Sequence, residues 1–136
     1  MSDLELLRDY RKRVIRLQLL QEQLANCNIS GAPAGLHAHA LTGMPRGTNE
    51  PTAAAVQLYE GLCMLVDRQQ EALRALWPKV EKILYAVEDA RLFMIIFRYY
   101  GLGQTVDEIA LSLYISERTV ARMKKGFAEF LRKKDA

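Results

Sequence analysis

Seven cationic side chains near the end of the chain carry the most specific chemistry in the sequence. Between Glu117 and Lys134 stand Arg118, Arg122, Lys124, Lys125, Arg132, Lys133 and Lys134 against two acidic residues, a net charge of +5 in a chain whose total is +3. A guanidinium group offers two parallel N–H donors that match guanine or a phosphate, whereas an ammonium group serves phosphate as a point charge. Glu117 can accept a hydrogen bond from cytosine, and the methyl groups of Thr119 and Ala121 can meet that of thymine. Steps of three and four place Arg118, Ala121, Arg122, Lys125 and Arg132 on one side of a helix, with Val120, Met123, Phe127, Phe130 and Leu131 on the other. The first group suits a nucleic-acid duplex, with Glu117, Arg118, Thr119, Ala121, Arg122 and Lys125 near base edges and Lys124, Arg132, Lys133 and Lys134 near phosphates.

Other chemistry finds little support. His37 and His39 have no second spaced pair of ligands to complete a metal site with Cys27 or Cys63, and both lie in a glycine-rich stretch that cannot preorganise one. No His stands where a Ser and a carboxylate would complete a hydrolytic site, so no catalytic residue and no cofactor is expected. Gly101-Leu102-Gly103 lacks the continuation of a phosphate-cradling loop. Tyr99, Tyr100 and Trp77 are expected in the core or an interface rather than as stacking platforms for bases.

The elements that must position the basic row are marked locally. The segment Ala90 to Tyr100 is apolar nearly all round and predicts a buried helix, with Gly101 as its C-cap and Gly103 in the following turn. Thr105 and Glu108 form a capping box, opening a helix over Val106 to Leu113 that turns Ile109, Ala110 and Leu113 inward. Tyr114 and Ile115 make a turn, Ser116 is the next N-cap, and the last helix runs from Glu117 to about Lys133. Ala110 is small where the two helices must approach, and Ile115 plugs the turn into the core. Together these signals predict a helix-turn-helix, in which the second helix enters the major groove. The expected DNA-binding residues are Thr105, Ser116, Glu117, Arg118, Thr119, Ala121, Arg122, Lys124, Lys125 and Arg132.

The succession Arg91-Leu92-Phe93, Arg98-Tyr99-Tyr100-Gly101, Thr105 to Ala110 and Ile115-Ser116-Glu117-Arg118-Thr119-Val120 resembles region 4 of sigma-70-type factors. The resemblance covers roughly residues 88 to 134. With the helical, loop-interrupted first half, the whole chain is similar to phage late-transcription regulators of the ArpU/RinA type. That resemblance implies double-stranded promoter DNA as partner, activation of phage or prophage late genes, RNA polymerase as a second partner, and a place in the cytoplasm of a bacterial host at the nucleoid. No sigma region 2 is visible. Two other readings keep the same helices: a sigma-like module that binds polymerase rather than DNA, and a small DNA-packaging subunit of a phage terminase.

The first half predicts support rather than chemistry. Leu4 to Leu24 holds no Gly or Pro and places Leu7, Tyr10, Val14, Leu17 and Leu24 on one helical stripe, with Arg8, Arg11, Lys12, Arg13 and Arg16 clustered on the same helix. These arginines read first as a solvated face and secondly as further phosphate contacts. The stretch 25–51 holds four of the eight glycines and three of the four prolines, and predicts a long loop. A second helix starts near Asn49 to Thr52 with Pro51 in its first turn, carries Val56, Tyr59, Cys63, Val66, Leu73 and Trp77, and should kink or restart at Pro78. A further segment, Lys79 to Val87, has Val80, Ile83, Leu84 and Val87 on one side. The two stripes can pack as an antiparallel hairpin or pair with a second copy, making a homodimer.

With 136 residues, 50% of them hydrophobic and 26% charged, the chain cannot be a large two-domain enzyme. Its most apolar run, Leu92 to Phe97, is far shorter than the roughly 20 residues a bilayer requires. Two cysteines without close spacing suit a reduced compartment. The expected fold is all-α: an N-terminal helical hairpin or coiled-coil unit over 1–87, with its loop at 25–51, and a sigma region 4-like helix-turn-helix over 88–136.

Overall fold

The computed structural model describes residues 2–27 and 52–135, and these form an all-α fold with no strand among them. The stripe of the first segment becomes α1, Asp3–Asn26, with Leu4, Leu7, Tyr10 and Val14 buried. The helix thus takes in Ala25 and Asn26, the first residues of the expected loop. Cys27 follows it, and 28–51, with His37, His39 and Pro51, lies outside the described residues.

Thr52 starts the second helix by accepting the Ala55 N–H at 3.0 Å. This helix, α2, runs Ala53–Tyr85 and passes through Pro78 instead of restarting there. The missing proline N–H costs one backbone bond, but Leu73, Val80 and Leu84 on both sides of it are buried, the last two completely. Their packing holds the helix together across the defect.

Asp89 caps the next helix, α3, Ala90–Ile96, by accepting from the amides of Arg91 and Leu92. The chain then widens into a π-helical turn, Phe97–Gly101, in which the Leu102 N–H reaches back five residues to the Phe97 carbonyl at 3.2 Å. Gly101 is therefore inside the helical segment and not its C-cap. The left-handed backbone falls at Gly103, with φ 72°. Ile95, Ile96 and Tyr100 are buried.

Two helices follow. The first, α4, is Val106–Leu113 and the second, α5, is Glu117–Asp135. Backbone contacts divide the chain into two compact units, one drawn from Met1–Ile15 and Glu71–Ala136, the other from Arg16–Gln70. The start of α1 thus belongs with the C-terminal helices, a grouping that the expected boundary at 87/88 does not follow.

Candidate nucleic-acid interface

The start of α4 is fixed by a reciprocal pair of bonds. The Thr105 hydroxyl accepts the Glu108 N–H at 3.2 Å, and the Glu108 carboxylate accepts the Thr105 N–H at 3.1 Å. Its end is fixed by Tyr114, which takes the left-handed conformation, φ 56°, while the Ile115 N–H bonds the Ala110 carbonyl at 3.1 Å. Ser116 then accepts the Thr119 N–H at 3.1 Å and starts α5. Three residues, Tyr114 to Ser116, thus reverse the chain between two capped helices.

Packing sets the angle at which α5 is presented. Ile95, Ile109, Ala110 and Val120 form a buried cluster, and Tyr99, Val106, Leu113, Ile115 and Met123 pack against it. Ala110 sits at the crossing, where a longer side chain would separate the helices. Farther along α5, Phe127, Ala128 and Leu131 are also buried. Phe130 is not: it is 61% exposed, contrary to the apolar stripe read from the sequence. It lies at the edge of that stripe and lines an open cleft of ≈ 880 Å³ with Leu6, Ile83, Leu92 and Phe127. That cleft is open, so the ring stays exposed although apolar side chains stand along it.

Docking by this face leaves the basic row outward. Arg118, Ala121, Arg122, Lys125 and Arg132 are all exposed, as are Glu117 and Lys133. Among the described residues, none of Arg118, Arg122, Lys125 and Arg132 makes an ion pair. Thr105 and Ser116 stand exposed at the two helix starts with their hydroxyls engaged in the caps, and Thr119 is half-buried with its own hydroxyl 2.8 Å from that of Ser116.

Two of the expected phosphate contacts turn toward the protein instead of projecting freely. The Lys124 ammonium lies 4.3 Å from the centre of the Tyr99 ring. Lys134 stands 3.9 Å from the Asp3 carboxylate.

The row has cationic neighbours from outside α5. The Arg11 guanidinium lies 4.0 Å from the centre of the same Tyr99 ring and donates to the Gln104 carbonyl at 3.3 Å. Tyr99 packs edge-on against Tyr100, ring centres 4.9 Å apart. Burial raises the Tyr100 phenol above its ordinary pKa, the neighbouring Tyr99 adds to the rise, and Arg8, Arg11 and Arg132 oppose it. Trp77 stacks at a tilt on Tyr10, 5.8 Å away, and is half-buried. Both cysteines are free thiols. No helix among the described residues is long and apolar enough to cross a membrane.

No protein-family model, curated protein or solved structure matches the chain.

Proposed function

We propose that the chain is a sequence-specific DNA-binding regulator of transcription, with α4 and α5 forming a helix-turn-helix whose second helix enters the major groove. The observation that carries this reading is the exposed row Arg118, Arg122, Lys125 and Arg132, without an ion pair among the described residues, on a helix held in place by its opposite face. Four exposed cations along one edge gain most from a polyanion, through release of the counterions condensed on it. The short capped turn and the small residue at the crossing support the same assignment, since they present α5 rigidly. In this reading Arg118 and Arg122 meet base edges while Arg132 and Lys133 hold phosphates.

The promoter setting comes from the resemblance to sigma region 4, which makes activation of phage or prophage late genes the regulated step and RNA polymerase a second partner. Self-association fits the second compact unit, where Leu19, Leu58, Met64 and Leu65 are each more than 40% exposed. Large apolar side chains in such number favour burial against a second copy. A homodimer would place two recognition helices on a two-fold operator.

Selection of bound duplexes from a random pool tests the assignment. The wild-type chain is expected to enrich one motif. Arg122→Ala is expected to lose preference at one position within it, at a cost of about 1 to 3 kcal/mol. Arg132→Ala is expected to weaken all sequences alike. No enrichment by the wild type would remove the DNA-reading role and leave the basic helix to a protein partner. A mass of eight or more subunits in solution would favour the packaging role instead.

A further inference from the structure

The arginines of α1 have no task in the proposal so far, yet the fold brings them beside α5. The Asp3 N–H donates to the Asp135 carboxylate at 3.2 Å, and Asp3 also faces Lys134. Eight residues later, Arg11 meets Lys124 across the Tyr99 ring. At 1.5 Å per residue those intervals are about 12 Å along α1 and about 15 Å along α5. The start of α1 therefore runs back along α5, from its last turn toward its middle. Arg8, one turn before Arg11, falls at the level of Ala128, one turn of α5 from Arg132.

The two helices show related charge on this side. Leu4, Leu7, Tyr10 and Val14 define the buried side of α1. Arg8, Arg11 and Lys12 occupy one flank of it, since steps of three and four keep them together. Asp9 and Arg13 occupy the other flank and pair with each other at 3.1 Å. The one carboxylate on the first flank, Glu5, accepts the Ser2 N–H at 3.2 Å. Among the described residues Arg8 has no carboxylate partner and is exposed. Arg11 also keeps a buried Nε–H without an acceptor. Arg11 and Lys124 stand over one ring, with no ion pair to either among the described residues, so both keep a charge that an anion can meet.

We propose that Arg8 and Arg11 of α1 join Lys124 and Arg132 of α5 in a second cationic strip, which grips the phosphodiester backbone beside the groove that α5 reads. The strip rests on the DNA-binding reading and extends it: α1 is part of the interface and not only a support. Arg8 and Arg132 touch phosphate directly. Arg11 and Lys124 are braced by Tyr99 and add field and a fixed donor. Because phosphate carries no base identity, the strip contributes affinity without sequence preference.

Titration of a labelled duplex of about 20 base pairs at several salt concentrations, using the full chain, tests the strip. Arg8→Ala is expected to weaken binding several-fold for every duplex and to lower the slope of log K against log salt by about 0.9, the value of one phosphate contact. Arg8→Glu is expected to weaken it further. Thermal unfolding of both variants should match the wild type, because Arg8 is exposed. Lys79→Ala, on α2 and outside the strip, should leave the slope unchanged. Wild-type affinity and slope in both Arg8 variants, with the wild type itself binding, would overturn the strip and leave α5 as the whole interface. No binding by the wild type at any salt would overturn the DNA reading, and the strip with it.

Discussion

At the scale of single residues, the basic row owes its position to side chains that bond the backbone at the helix starts. Thr105, Glu108 and Ser116 satisfy amides that would otherwise be bare at the starts of α4 and α5. Thr105→Ala removes one half of a capping box and should cost about 1 kcal/mol, read as a lower urea midpoint with an unchanged slope. These caps were legible in the sequence because each is a local spacing of polar residues. The partners of Lys124 and Arg11 were not legible. A cation over a ring depends on which tyrosine the fold turns toward it, and Tyr99 differs from Tyr100 in nothing the sequence displays. Ala128 was passed over for a related reason: its burial comes from position on α5 and not from hydrophobicity.

At the scale of elements, α5 was the clearest from sequence, since its apolar and basic stripes keep one period over five turns. The exception is Phe130, where the pattern extends past the surface available to cover it. At Pro78 the expected restart does not occur. A local breaker signal yields to the buried side chains on both sides of it, which only tertiary contact supplies. The π-helical turn at Phe97–Gly101 left no mark either, for it requires one extra residue in a turn and no particular side chain. Gly126 has nothing within 4 Å of where a Cβ would stand, in the interior of α5. Gly126→Ala should therefore raise stability by about 0.5 to 1 kcal/mol in chemical denaturation, by limiting the unfolded chain and favouring the helix.

At the scale of the whole molecule, the all-α class follows from composition and period, while the grouping of residues 1–15 with 71–136 does not. That grouping depends on contacts such as Arg11 with Gln104, 93 positions apart, for which no local signal exists. The same unit sets an alkaline limit on stability. Burial raises the phenols of Tyr10 and Tyr100 above the ordinary value of 10.0. The folded chain therefore keeps protons that the unfolded chain releases. The stability this provides is intact below about pH 10 and is lost as the pH rises through the folded values. Urea midpoints should be level from pH 8 to pH 9.5 and fall above about pH 10. Tyr100→Phe should make that fall shallower.

Above all, we propose that α5 aims at a duplex a cationic row with no ion pair among the described residues. Its most direct test is the salt dependence of duplex binding by the wild-type chain and by a variant carrying Arg118→Ala, Arg122→Ala and Lys125→Ala together. All three positions are exposed, so the variant should fold as the wild type does. Wild-type affinity should fall steeply with salt, and the variant should lose most of its affinity together with its preference among sequences. A variant that binds with the wild-type affinity and sequence preference, or a wild-type chain that binds no duplex even in dilute buffer, would contradict it.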